Sequence, residues 1–133
     1  MNYLLPIIFS VAFFTTPQPS TLTIELSQPC NNIEIPQMIE CFANLYGASK
    51  EELTIIAKKE SNLKPNPKGH NDGGNAYGVY QYHKPTFIRF SKMMGEELDY
   101  YSYYDQIKLT AWIFANKPEL KSHWTTSKYL VSL

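Results

Sequence analysis

The sequence predicts a mainly α domain: several short helices around one core, with a small irregular or β insert after the second helix. Two observations carry this. From Ile33 onward apolar residues recur at three- and four-residue steps, in runs bounded by capping or breaking residues. Between the second and third runs, Lys64 to Ala76 holds two Pro, three Gly and three Asn, residues that build turns. The chain has 133 residues, the size of one compact domain; 44% are apolar and 18% charged, so it can form a packed core.

Taken in order, residues 1–16 are expected to be a signal peptide or short membrane anchor, 17–32 a linker, and 33–133 the folded domain. Met1 to Phe14 is apolar except around Pro6 and Ser10. It falls short of the roughly 20 residues a membrane-spanning helix needs and suits the apolar part of an export signal. No Lys or Arg precedes it, and Ser10-Val11-Ala12 is the candidate small-residue cleavage site. An uncleaved anchor or a packed N-terminal strand are the alternatives. The Thr-, Ser-, Pro- and Gln-rich stretch Thr15 to Asn32 reads as extended, with a short strand at Thr21 to Leu26.

Ile35, Met38, Ile39, Phe42 and Leu45 define the first helix, which Gly47 stops. Ser49-Lys50-Glu51-Glu52 is a capping box that opens the second, with Leu53, Ile56 and Ala57 on its apolar face. Asn62, Pro65 and Pro67 end it. Tyr77 to His83 is expected to hold short strands or a turn. Pro85 begins a third helix that buries Phe87, Phe90, Ser91 and Met94 and closes at Gly95. A fourth runs from Tyr104 to Ala115 around Ile107, Ala111 and Phe114, and a last short helical piece spans Glu119 to Trp124.

Cys30 and Cys41 are too few for a structural zinc site. In an exported chain they pair, closing a loop worth about 2–3 kcal/mol in the chain-entropy model; otherwise they are small core residues. The formal charge is zero and no Lys/Arg run stands out, which argues against nucleic acid as a partner. Ten Tyr, seven Phe and two Trp either line a carbohydrate groove or fill a small core.

Glu60 is the most informative residue. It follows Leu53 by seven residues, close to two helical turns, so it projects from the face that should be buried. Burial raises a carboxyl pKa, and the negative end of the helix dipole pushes the same way. A carboxylic acid that stays protonated can donate to a leaving oxygen. The plainer reading is a helix-end Glu turned to solvent and paired with Lys58, Lys59 or Lys64.

Glu60-Ser61-Asn62-Leu63-Lys64-Pro65, then Ala76-Tyr77-Gly78-Val79-Tyr80-Gln81 with Pro85-Thr86 downstream, resembles the soluble lytic transglycosylase (SLT) family of the goose-type lysozyme-like superfamily. The resemblance covers about Ile35 to Tyr129. It implies an α+β lysozyme-like fold in which the β insert borders a glycan cleft. It implies Glu60 as single catalytic acid/base, Ser61 as the hydroxyl beside the reacting sugar, and Gly78, Val79, Tyr80 and Gln81 as the strip that holds N-acetyl sugars. Gly78 would let the ligand approach the backbone. The substrate implied is the β-1,4 bond between N-acetylmuramic acid and N-acetylglucosamine in peptidoglycan glycan strands, cut to a 1,6-anhydro product. Neither cofactor nor metal is expected. The chain would act as an exported monomer in the periplasm, cell envelope or outside the cell, with residues 1–14 as a candidate membrane tether.

Two departures from the family pattern are visible. Val79 and Tyr80 stand where it has Leu and Met. The family's third block places a Tyr hydroxyl on the catalytic Glu; that slot falls at Ile113, beside Trp112, with Tyr101, Tyr103 and Tyr104 as candidate substitutes. Other readings are hydrolysis with Asp72 holding a water, chitin cleavage, a non-catalytic glycan-binding envelope module, and a metal site at His70, Asp72, His83 and His123, whose spacing fits no short ligand pattern.

Overall fold

The computed structural model describes residues 28–68 and 74–130, together with Ala12. The expected signal segment, the Thr21 to Leu26 strand, His70 and Asp72 lie outside the described residues. Four α-helices form in chain order: α1 (Ile35–Tyr46), α2 (Lys50–Ser61), α3 (Lys84–Met94) and α4 (Tyr103–Asn116). Strands β1 (Ala76–Tyr77) and β2 (Tyr82–His83) lie between α2 and α3, and two 3-10 helices, Pro118–His123 and Thr125–Leu130, follow α4. The architecture is the mainly α, lysozyme-like one expected. Among the described residues no helix is long and apolar enough to cross a membrane.

α1 buries Met38, Ile39, Phe42 and Ala43 and ends at Gly47, whose φ of 78° is a left-handed cap. Leu45, expected on the buried face, is 54% exposed. The stripe is centred on Ile39, Phe42 and Tyr46, and Leu45 falls off its edge. The Ser49 hydroxyl caps α2 by accepting from the Glu52 amide at 3.2 Å. Only half of the capping box forms, because the Glu52 carboxylate pairs with Lys121 of the first 3-10 helix.

β1 and β2 pair antiparallel in register Ala76↔His83 and Tyr77↔Tyr82, so residues 78–81 form the closing turn. His83 is the N-cap of α3, and the Ser102 hydroxyl caps α4. α4 is buried on most sides, through Gln106, Ile107, Leu109, Thr110, Ala111, Ile113 and Phe114. It packs on α1, α2, α3 and the first 3-10 helix, and so forms the centre of the fold.

Cys30 and Cys41 form a disulfide with Cα atoms 5.6 Å apart. Pro29 and Cys30 had been expected in the linker. Cys30 instead packs against the core, and the Pro29 carbonyl accepts from the Tyr104 hydroxyl at 2.6 Å. The aromatic residues divide between both expected uses. Tyr80, Tyr82, Phe87, Phe90, Phe114 and Trp124 are buried, whereas Tyr101, Tyr103 and Tyr129 are exposed. Around Tyr82 the rings of Phe87, Phe90 and Trp124 meet edge to face at 5.4 to 6.4 Å, a favoured arrangement for aromatic pairs.

Candidate active site

Glu60 occupies the last turn of α2, one residue before the helix ends. It follows Ile56 and Leu53 down a buried stripe, which leaves its carboxyl half-buried. Burial raises its pKa above the ordinary carboxyl value, and one hydrogen bond opposes the rise. That bond comes from the Thr126 hydroxyl, which donates to Glu60 Oε1 at 2.7 Å. Among the described residues no cation pairs with Glu60. Lys59 instead lies over the Tyr129 ring, 4.4 Å from its centroid.

Thr126 is the residue that sequence reasoning missed. It lies in the second 3-10 helix, which packs on α2. Trp124 anchors that helix: it is 3% exposed, and its indole N–H donates to the Tyr80 carbonyl at 2.9 Å. The slot expected for a Tyr hydroxyl holds Ile113, fully buried in the core. The three substitutes are engaged elsewhere or turned outward. Tyr104 donates to Pro29, Tyr101 stacks edge-on against Tyr77 and Tyr100, and Tyr103 is exposed.

Ser61 is nearly buried, and its hydroxyl donates back to the Ala57 carbonyl at 3.0 Å. Gln81 has a φ of 50°, and its amide donates to the carbonyls of Pro67 at 2.8 Å and Gly78 at 3.0 Å. It thus clamps the start of the 67–78 loop onto the turn.

The structure turns the Val79 and Tyr80 side chains inward and sets Gly78 against Gln106. Val79 and Tyr80 have no exposed surface, so neither can offer a side chain to a sugar. The Tyr80 hydroxyl instead donates to the Leu53 carbonyl of α2 at 3.2 Å. Gly78 has a φ of 88°, and a Cβ there would come within 2.1 Å of Gln106 Nε2. Its missing side chain makes room for Gln106 of this chain. Gln106, wholly buried, donates to the Tyr77 and Tyr100 carbonyls at 3.0 Å each and accepts from the Tyr80 amide at 3.4 Å. Below it, the Thr110 hydroxyl donates to the Gln106 carbonyl at 2.7 Å, so it is the Tyr82 hydroxyl that donates to Thr110, at 2.8 Å.

His83 and His123 are not gathered into a cluster: among the described residues no three His, Cys, Asp or Glu side chains stand close enough to hold a metal. The His123 ring stacks on Tyr82, with centroids 6.4 Å apart.

The arrangement is a sheltered carboxyl with an uncharged partner, set at a helix end. Such a group can give up and take back a proton. A model of the Transglycosylase SLT domain matches residues 37–115, more than half of the chain and inclusive of Glu60 and the Gly78–Gln81 turn. No curated protein and no solved structure matches the chain. On the family match and the fold together, the chain belongs to the Transglycosylase SLT domain family, whose activity is of the peptidoglycan lytic transglycosylase type.

Proposed function

We propose that the protein cuts the β-1,4 bond between N-acetylmuramic acid and N-acetylglucosamine in peptidoglycan glycan strands, with Glu60 as the single acid/base. The observation that carries this reading is the half-buried Glu60 carboxyl, raised in pKa and held by a hydroxyl rather than a cation. A lysine partner would keep it ionised; a threonine leaves it able to protonate.

In the first step protonated Glu60 donates its proton to the glycosidic oxygen as the C1–O bond of the muramyl residue breaks. The N-acetyl oxygen of that residue supplies electron density to C1. In the second step the Glu60 carboxylate removes the proton of the C6 hydroxyl, O6 attacks C1, and a 1,6-anhydromuramyl end forms. Glu60 finishes protonated, as it began, and no water is consumed. Ser61 and Gln81 contact the sugars, while Gly78, Val79 and Tyr80 form the rigid wall behind them. The Cys30–Cys41 disulfide supports an oxidising location such as the periplasm, envelope or exterior, with residues 1–14 as export signal or tether. The domain acts as a monomer.

The test is digestion of purified sacculi, with the products separated by mass. Wild type is expected to release anhydromuropeptides, and Glu60→Gln to lose turnover by about 10²–10⁴-fold, the usual contribution of a positioned acid/base, while keeping its fold. Reducing-end products alone would establish hydrolysis in place of the lyase route. An unchanged rate in Glu60→Gln would leave a glycan-binding module.

A further inference from the structure

We propose that Thr126 is the positioning residue for Glu60, a hydroxyl supplied by the C-terminal 3-10 helix that takes over the task of the missing third-block hydroxyl. This rests on the acid/base reading of Glu60 given above.

Three observations carry it. Thr126 Oγ1 lies 2.7 Å from Glu60 Oε1. The expected slot at position 113 holds an isoleucine with no exposed surface and no group to donate. The segment that delivers Thr126 is fixed rather than merely adjacent. Trp124 is pinned to the Tyr80 carbonyl, the Ser127 amide donates to the Trp124 carbonyl at 2.9 Å, Tyr129 packs under Lys59, and Lys121 pairs with Glu52 of α2. Thr126 itself lies beyond the span that the family model matches.

The chemistry suits a group that changes charge during turnover. A threonine hydroxyl donates to the carboxylate and can donate to or accept from the neutral acid, so the contact survives both states. Whenever Thr126 donates to Oε1, the proton of the neutral acid belongs on Oε2, which leaves that oxygen as the proton donor. A glutamate at a helix end has several rotamers open to it; the bond to a pinned partner selects one.

The experiment compares wild type, Thr126→Val, Thr126→Ala and Thr126→Ser. Glu60 is titrated through its carboxyl carbon by NMR, and sacculus turnover is measured against pH. Val and Ala remove a donor that favours the carboxylate, so Glu60 is expected to titrate at higher pH than in wild type. The alkaline limb of turnover should move up with it, and kcat should fall about tenfold at little change in KM. Ser should restore both. Val is isosteric with Thr and Ala is smaller, so a folding failure in one leaves the other to be read. Glu60 titrating as in wild type in either folded variant, while Glu60→Gln abolishes turnover, overturns the role of Thr126 and leaves the acid/base reading intact. A shifted titration together with a fully active Glu60→Gln variant overturns the acid/base reading but not the Thr126 contact.

Discussion

The end of α2 and the turn at residues 78–81 both belong to the segments that resemble the SLT family, yet they are built in opposite ways. At the end of α2, among the described residues, one hydrogen bond holds a half-buried carboxyl. In the turn, Tyr80 is engaged at its amide, its carbonyl and its hydroxyl, by Gln106, Trp124 and Leu53, and Gly78 fits against Gln106 with no room for a Cβ. A reactive group needs freedom to change its protonation and partner. A wall against which a polymer is aligned needs the reverse. On the proposed function, the division explains why motif residues need not all be contact residues: Val79 and Tyr80, wholly buried, would serve by holding the turn in place.

Substitutions test this division, and the largest stability loss should come from the turn. Gly78→Ala adds a methyl at a left-handed φ into the space of a triply bonded amide, for about 2–4 kcal/mol of destabilisation from overpacking and backbone strain together. Urea denaturation measures it, and a variant within 1 kcal/mol of wild type, roughly the size of a relaxed packing change, would show that the wall yields.

Gln106→Leu keeps the volume but strands the Tyr80 amide and two carbonyls. About 2–3 kcal/mol is expected to be lost, the cost of buried unpaired groups. Hydrogen exchange should locate the loss at the Tyr80 amide first; uniform loosening across the domain would argue against a local clip.

Replacing Cys30 and Cys41 together by Ser removes the tie between the N-terminal approach and α1, for about 2–3 kcal/mol by the loop-entropy argument. Sacculus digestion below the melting point should be unchanged, because the disulfide joins α1 to the segment before it and includes no residue of α2 or the turn.

The smallest effect is electrostatic and has a definite sign. The Glu60 pKa is raised in the folded protein, so its ionised form is disfavoured there. The penalty is absent below the ordinary value of 4.5, grows as pH rises toward the folded value, and is complete above it. Glu60→Gln should therefore melt slightly higher than wild type at pH 7 and the same at pH 4, as calorimetry can read. A lower melting temperature at pH 7 would mean that Glu60 is a structural ion rather than a sheltered acid.

Much of this molecule is legible before any coordinates. The four α-helices follow from apolar periodicity and from caps at Ser49, Gly47, Asn62 and Gly95, which act within a turn or two of chain. The short strands follow from the turn-rich stretch between them. Leu45 was misplaced because a three-residue step alone does not say where the centre of a stripe lies. The second 3-10 helix had no periodic signature: Thr125–Leu130 is mixed and short, and it exists because Trp124 has a buried site to fill. The slot read at position 113 carries no hydroxyl, and nothing near it pointed to Thr126, 66 residues from Glu60.

The amino-acid order by itself determined the helices, the placement of Glu60 on a stripe meant for the core, and the cysteines available to pair, because these depend on neighbours a few residues apart. Only the tertiary structure decided that Thr126 meets Glu60, that Gln106 fills the space beside Gly78, and that Val79 and Tyr80 face inward. Those outcomes join residues tens of positions apart, and they are set by which buried polar groups find partners once the helices have packed.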